Sequence, residues 1–348
     1  MRVGLIPETA YELMGLIAGE VPNPVIETFN GLLMVRSLVA ACRLEILDTL
    51  AEGPLSAIDV ASRAGTSPVP TERLLDVLVS LRYVRRKGDT FELLPVARRW
   101  LLKDSPDSVR DYVLWRHYEW EWISRLDDHV RTGASILGRG ALDDDAWQLY
   151  QRAMRCLANL GSPEIAARTP VPQGATTMLD IGGAHGHLSA TFCRRHPAMK
   201  AVVLELPEAI QASAPLLASE NLGDRVVHRA GDARTDDFGD ACWDLVVASN
   251  IVHNLTSDQC TSLTVRVARS LKPGGVFAII DFTRPTSERA TGQTPALMDL
   301  YFSLTSVSGA WSIEEMAHWQ QTAGLKPYKA LRMRRGAGSV IQAAKRPA

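Results

Sequence analysis

The sequence predicts a doubly wound α/β domain in the C-terminal half, preceded by a mostly helical domain of winged-helix type. Three observations predict this. Short apolar strands alternate with helical segments after residue 173, and helical runs followed by a hairpin account for the first 110 residues. The chain of 348 residues is also longer than most single domains. The predicted boundaries are a winged-helix domain over 1–110, a helical linker and substrate lid over 111–172, and a ligand-binding domain over 173–348.

The N-terminal domain is predicted as helices followed by a hairpin. Apolar residues recur at helical spacing over 29–50, which predicts one long helix. A short helix capped by Ser56 and a third helix opened by Thr71 follow. Residues 83–93 alternate around a Gly-Asp turn, which predicts a β-hairpin and completes the winged-helix order.

A winged helix is also a common DNA-binding arrangement, so its charge matters. Residues 50–110 contain ten Lys or Arg and eight Asp or Glu, a net charge of about +2, and the whole chain has a formal net charge of -1. Phosphate contact requires a basic face. The third helix is mostly Leu and Val. We therefore expect this domain to pack against another subunit and to bind no nucleic acid.

Cysteine usage and the N-terminus bear on the cellular location. The five cysteines show neither disulfide nor metal-ligand spacing, so we expect reduced thiols, no metal and a cytoplasmic protein. The first residues lack the features of a secretory or transit peptide. No stretch of eighteen uncharged apolar residues occurs, so no membrane span is expected.

The linker has helical periodicity and a dense aromatic patch around Trp115 and Trp120, with further members later in the segment. Two interpretations remain open: these side chains are core, or they form a lid over a flat substrate. Residues 169–174 are rich in Pro and Gly and break the pattern. Beyond them, alternating strands and helices predict a parallel sheet with right-handed crossovers, closed by an antiparallel pair, with strands at 177–181, 200–205, 225–230, 243–250, 276–282, 326–333 and 339–344.

The first strand of this half ends in a glycine-rich loop. It reads D-x-G-G-x-x-G from Asp180 to Gly186, so the G-x-G-x-x-G spacing of a dinucleotide site fails. An acid at this point suits the ammonium group of an amino acid better than a pyrophosphate. Glu205 and Asp232 end the next two strands, where they can reach ribose hydroxyls and an adenine amino group. Strand-end acids are often merely solvated, but three in succession are specific.

These motifs, with Leu204 to Pro207, His253 and Lys272 to Gly275, resemble the plant caffeic-acid-type and bacterial polyketide small-molecule O-methyltransferases. The resemblance covers nearly the whole chain. It implies a Rossmann-like class I methyltransferase domain behind a winged-helix dimerisation domain, a homodimer, S-adenosyl-L-methionine as donor, and a hydroxyl acceptor. The implied cofactor-binding residues are Asp180, Gly182, Gly183, Gly186, Glu205, Leu206, Asp232, Ala233 and Ser249.

His253 matches the catalytic base of that family, and Asp281, shorter by one methylene, stands where the family has the glutamate that orients the base. A phenol titrates near ~10 and an imidazole near ~6.5, so full proton transfer is uphill by roughly 5 kcal/mol. The alternative is a histidine that satisfies backbone near a helix start. The chain also departs from the family: Asn254 follows the histidine where an acid is usual, and neutral Ala310 or Trp311 replaces a second glutamate.

The predicted function is methyl transfer from S-adenosyl-L-methionine to a hydroxyl of an aromatic or polyketide-like small molecule in secondary metabolism. One alternative keeps the fold but methylates carbon or nitrogen, or no longer methylates. Another is a winged-helix regulator that senses the cofactor. The expected acceptor-binding residues, each of which could instead be core, are Trp115, Trp120, Met154, Asn250, Asn254, Met298, Phe302 and Trp311.

Overall fold

The computed structural model describes residues 3–136, 142–287, 292–334 and 338–348. They divide into two compact units, of which one ends at His117 and the other begins at Tyr118. The helix Arg110–Ile123 crosses that boundary. The boundaries expected from the sequence, at 110 and 172, stay predictions.

The first unit consists of helices and a small antiparallel sheet of order β1-β3-β2. Its strands are β1 (Leu55–Ser56), β2 (Val84–Lys87) and β3 (Thr90–Leu93), and its helices are α1 (Ala10–Ala18), α2 (Asn23–Arg43), α3 (Ile46–Thr49), α4 (Ala57–Ala64), α5 (Pro68–Ser80) and α6 (Pro95–Trp100). The hairpin expected at 83–93 is confirmed, with Lys87 opposite Thr90. Leu47, Leu75 and Phe91 belong to a buried apolar core.

The prediction of a single helix over 29–50 is wrong, because the helix is interrupted between α2 and α3. Glu45 adopts a left-handed conformation, with φ of 54°, and the helix restarts at Ile46. Ile46, Leu47 and Leu50 are completely buried. The break therefore lets the last turn enter the core, while much of α2 remains exposed.

Among the described residues, α2 is a helix long and apolar enough to cross a membrane by length and composition alone. It carries Glu27 and Arg36 within its span. Only 17% of the most apolar 18-residue stretch of this helix is buried. A large apolar surface exposed in this way indicates an interaction site.

The second unit contains an eight-stranded sheet of order β10-β11-β8-β7-β4-β5-β6, with β9 paired to β11. Strands β4 to β8 are parallel, and β11 runs antiparallel to β8. The predicted doubly wound sheet and its antiparallel closure are confirmed, but the strand expected over 326–333 is divided into two short strands that both pair with β11. The strands are β4 (Thr177–Ile181), β5 (Lys200–Glu205), β6 (Val226–Ala230), β7 (Trp243–Ser249), β8 (Leu271–Phe282), β9 (Lys326–Pro327), β10 (Leu331–Arg332) and β11 (Ser339–Lys345).

Helices cover the sheet, and separate apolar clusters contain Leu179 and Phe277 on one side and Met178 and Phe192 on the other. This alternation is expected of a parallel sheet buried on both faces. The helices are α7 (Arg110–Ile123), α8 (Leu126–Thr132), α9 (Asp144–Arg168), α10 (His187–Arg195), α11 (Pro207–Ala218), α12 (Ser257–Ser270), α13 (Gln293–Thr305) and α14 (Ile313–Thr322).

The strand order places a crevice beside β4. The chain steps outward from β4 through β5 to β6, and then crosses back to β7 on the other side of β4. Ligands of open α/β sheets bind at the carboxyl ends of the strands where the order reverses. Here those ends carry the glycine-rich loop after β4 and the segment after β7.

Candidate active site

Asp180 lies at the end of β4 and is completely buried. Its Oδ2 atom accepts a hydrogen bond from Ser189 Oγ at 2.7 Å. Its Oδ1 atom is buried and has no hydrogen-bond partner among the described residues. Burial, only partly offset by Ser189, raises the pKa of Asp180 to about 7. Within the described ranges one carboxylate oxygen is thus left for a donor from a ligand.

The loop glycines are required by close contacts. A Cβ atom at Gly183 would lie 2.5 Å from Asp180 Cγ, and one at Gly182 would lie 2.8 Å from Ile251 Cδ1. Gly186 has a φ of 69° and precedes α10. A side chain at Gly182 or Gly183 would therefore displace neighbouring side chains, so the loop packs closely against Asp180 and Ile251.

Glu205 is held by backbone amides at the end of β5. Its Oε2 atom accepts a hydrogen bond from the N–H of Ala184 at 3.0 Å, and its Oε1 atom accepts one from the N–H of Leu206 at 2.8 Å. Ala184 has a φ of 46°, which is uncommon for a residue with a side chain. Its carbonyl lies 2.7 Å from Nε2 of His228 on β6. The loop is therefore tied to β5 and to β6 beyond it.

A buried carboxylate supports the start of α10. His187 Nδ1 lies 2.9 Å from Glu220 Oε1, and the guanidinium groups of Arg155 and Arg194 each lie 2.7 Å from this carboxylate. Burial alone would raise the pKa of Glu220, but these partners lower it to about 2. Nearby, burial lowers the pKa of His185 to about 3, with help from Arg155, so His185 is neutral.

Asp232, after β6, is partly exposed and paired with Arg234. The guanidinium donates to both carboxylate oxygens, at distances of 2.6 to 3.0 Å. Hydrogen bonding to Arg234 lowers the pKa of Asp232. The carbonyl of Ala233 accepts a hydrogen bond from Arg266 at 2.7 Å. The loop after β6 is thus fixed by arginines from its own turn and from α12.

His253 lies in a short 3-10 turn, Val252–Asn254, just after β7. Its Nδ1 atom is 2.9 and 3.0 Å from the two oxygens of Asp281, at the end of β8. His253 is 3% exposed and Asp281 1%. An Nδ1–H that donates to the carboxylate leaves Nε2 as the acceptor atom. The pair has the arrangement of a general base and its orienting acid.

Phe302 on α13 stacks on the imidazole of His253, with ring centroids 3.7 Å apart and planes 8° apart. It is 6% exposed, so it packs against the ring. Trp311 donates from Nε1 to the carbonyl of Val252 at 3.0 Å. The structure therefore brings these two expected pocket residues to the turn that carries His253.

The other expected acceptor-binding residues are more dispersed. Met298 on α13 and Met154 on α9 are partly buried, as are Trp120 and Asn254, whereas Asn250 is exposed. Asn250 has a φ of 53°, and Ser249 Oγ accepts from its amide at 3.3 Å. Trp115 is completely buried and belongs to the first unit. A pocket made from these residues stays a prediction.

Three residues that contact the site were not predicted from the sequence. Ser189, His228 and Ser306 contact Asp180, Ala184 and the carbonyl of His253 respectively. His228 had a signal, because it is two residues from buried Val226 on β6 and so faces the same side of the sheet. Ser189 and Ser306 had none, since each reaches its partner through tertiary packing.

Two family models match the chain. An O-methyltransferase domain matches residues 126–325, and an O-methyltransferase dimerisation domain matches residues 26–103. The chain belongs to the O-methyltransferase family. Members of this family use S-adenosyl-L-methionine as methyl donor.

Relatives of this O-methyltransferase span most of its length. Acetylserotonin O-methyltransferase of Bos taurus is 28% identical over 345 residues, which cover 90% of this chain and 94% of that one. The tetracenomycin polyketide synthesis 8-O-methyl transferase TcmO of Streptomyces glaucescens is 27% identical, with 87% and 91% covered. A probable bifunctional dTTP/UTP pyrophosphatase/methyltransferase of Homo sapiens is 26% identical over 78% of this chain, which spans only 46% of that protein.

The fold of this O-methyltransferase is also that of solved structures. The structure of human N-acetylserotonin methyltransferase in complex with SAM matches with a TM-score of 0.82 at 21% identity, covering 99% of this chain and 100% of that one. The expected class I fold, with its N-terminal dimerisation region, is therefore confirmed.

Proposed function

We propose that this enzyme transfers a methyl group from S-adenosyl-L-methionine to a hydroxyl of an aromatic or polyketide-like small molecule. The observation that carries the proposal is the buried His253–Asp281 pair after β7, placed at the same sheet edge as the glycine loop after β4. Bound S-adenosyl-L-methionine would supply an electrophilic methyl group on a positively charged sulfur.

The residues around the glycine loop fit this donor. The buried Oδ1 of Asp180 lacks a partner among the described residues and suits the ammonium group of the donor. Glu205, held by two amides, suits the ribose hydroxyls. Asp232 and the backbone of Ala233 would meet the adenine, and Leu206 and Ser249 complete the set.

His253 would take the proton of the acceptor hydroxyl on Nε2 as the oxygen attacks. Asp281 holds the ring through Nδ1 and stabilises the positive charge that the imidazole gains. Met298 and Phe302 on α13 would help to form the acceptor pocket. The names of the relatives, which specify acetylserotonin and a polyketide, support a ring-containing acceptor.

The enzyme would act as a homodimer. The dimerisation match begins at residue 26, inside α2, where Phe29 and Leu33 are 62% and 47% exposed. A second subunit would cover this apolar surface. We propose a cytoplasmic location, where the reduced state expected for the five cysteines is usual.

The test begins with the donor, because donor binding does not require the acceptor to be known. Calorimetry should detect binding of S-adenosyl-L-homocysteine to the wild-type enzyme and, unchanged, to a His253→Ala variant. Incubation with isotopically labelled donor and an extract of the producing organism should then give a labelled methyl ether. We expect His253→Ala to lower kcat/KM for that acceptor by about 10²- to 10⁴-fold.

Other results would point elsewhere. A label on a carbon or nitrogen atom would favour the alternative methyltransferases, which the departures at Asn254 and Ala310 first suggested. Undiminished turnover in His253→Ala would show that His253 is not the base, and that the proximity of donor and acceptor accounts for catalysis. A folded protein that gives no heat with S-adenosyl-L-homocysteine would contradict the proposal as a whole.

A further inference from the structure

Side chains from one short segment, residues 306–311, hydrogen-bond to the backbone around His253. Trp311 Nε1 donates to the carbonyl of Val252 at 3.0 Å, and Ser308 Oγ donates to the carbonyl of Leu255 at 2.7 Å. Ser306 Oγ lies 2.7 Å from the carbonyl of His253 itself. Donors from a stretch of six residues thus reach three carbonyls of one turn.

Most of the residues in these contacts are buried, while Ser308 and Trp311 are partly exposed. Val252, His253, Leu255 and Ser306 are each 1–3% exposed. A buried carbonyl without a hydrogen-bond donor is destabilising. Within the turn, the N–H of Leu255 donates to the Val252 carbonyl at 3.1 Å. The donors from residues 306–311 and this backbone hydrogen bond therefore hold the turn in one conformation together.

The ring of His253 is constrained at the same time by other groups. Asp281 accepts from Nδ1, and Phe302 stacks on one face. Phe302 and Ser306 are four residues apart at the C-terminal end of α13, so the same end of this helix contacts both the ring and its backbone. Orientation of the imidazole depends on ring and backbone together.

We propose that Ser308 and Trp311, assisted by Ser306, are positioning residues that hold the His253 turn so that Nε2 faces the acceptor hydroxyl. The inference rests on the proposed role of His253 as base. Ser306 contributes less, because its single hydroxyl proton can also go to the carbonyl of Phe302 at 2.6 Å. Ser308 and Trp311 are therefore the residues to test.

The experiment compares two double variants that each lose an indole N–H and a hydroxyl. Trp311→Phe with Ser308→Ala removes the bonds to the His253 turn. Trp243→Phe with Ser270→Ala is the matched control, because Trp243 Nε1 donates to the carbonyl of Phe238 at 2.8 Å and Ser270 Oγ to that of Val267 at 2.9 Å, away from the turn.

With the acceptor identified in the labelling assay, the Trp311 and Ser308 variant should lose about tenfold or more in kcat, because the base is misplaced. KM and the affinity for S-adenosyl-L-homocysteine should stay within about twofold of wild type, as expected when positioning rather than binding is lost. The control variant should keep kcat. Ser308→Thr, which retains the hydroxyl, should restore most of the loss when it replaces Ser308→Ala.

A second readout needs no acceptor. In protein labelled with ¹⁵N-histidine, the imidazole signals of His253, assigned by their absence in His253→Gln, should broaden or split only in the Trp311 and Ser308 variant. Equal kcat and equal His253 signals in the two double variants would overturn the inference. If the wild-type enzyme methylates nothing, the proposed function fails, and these signals still decide whether the segment positions His253.

Discussion

At the scale of single residues, the carboxylate of Asp180 links ligand binding to its own titration. This carboxylate is completely buried, one oxygen is bonded to Ser189, and the other has no partner among the described residues. Because burial favours the neutral acid, its pKa is raised to about 7. A ligand ammonium would stabilise the ionised form and lower that pKa again, so binding and titration are coupled.

This coupling predicts a pH dependence of donor affinity. Below about pH 7 Asp180 is increasingly protonated and cannot pair with an ammonium, so the Kd for S-adenosyl-L-homocysteine should rise about tenfold per pH unit. The ligand ammonium itself deprotonates near ~8, so affinity should peak between these values. Calorimetry from pH 5.5 to 9 measures the profile.

Two controls isolate the carboxylate. An Asp180→Asn variant should bind S-adenosyl-L-homocysteine more weakly and lose the acid limb of the profile. The wild-type affinity for 5′-methylthioadenosine, which lacks the amino acid, should vary little with pH. A Kd for S-adenosyl-L-homocysteine that is the same at pH 5.5 and pH 7 would rule out the assigned role of Asp180.

At the scale of elements, the cofactor loop depends on the helices behind it. Glu220 follows α11 and joins it to Arg155 on α9 and to His187 and Arg194 on α10. The helix that begins directly after the glycine loop is therefore fixed by a buried ionic contact. Such a contact is costly to break from one side, because it leaves charges without a partner.

A Glu220→Gln variant should lower the free energy of unfolding by about 2 kcal/mol at pH 7 in urea titrations. The carboxylate has a pKa near 2 in the folded protein and a higher one when unfolded. Its contribution is therefore fully present above about pH 4.5 and lost as the pH falls towards 2.

Asp224→Asn provides the comparison, because Asp224 and Lys200 form an exposed pair at 3.0 Å. Loss of such a pair should change stability little. If the two variants proved equally stable, the Glu220 contact would not be structural support for α10.

At the scale of the whole molecule, we expect the exposed apolar face of α2 to be buried by a second subunit. A Phe29→Asp, Leu33→Asp variant places two charges on this face, one helical turn apart. Desolvating them in an interface would be expensive, so the dimer should dissociate to monomers of 38.1 kDa. Sedimentation equilibrium measures the change in mass.

Val265→Asp on α12 is the matched substitution, since Val265 is 50% exposed and lies outside the dimerisation match. It should leave the mass unchanged. A wild-type monomer, or a double variant of wild-type mass, would show that α2 is not the dimer surface.

The sequence by itself determined the alternation of strands and helices after residue 173, the glycine loop, and the acids at or just after the ends of β4, β5 and β6. These features depend on local periodicity and on turn chemistry, which neighbouring residues specify. The hairpin at 83–93 is predictable for the same reason.

Only the tertiary structure decided what surrounds those residues. The break at Glu45 follows from burying Ile46 and Leu47, which helical periodicity alone does not reveal. The stacking of Phe302 on His253 and the bonds from Ser308 and Trp311 join segments about fifty residues apart. Such contacts depend on how the sheet and helices pack, and packing is set by the whole fold rather than by local sequence.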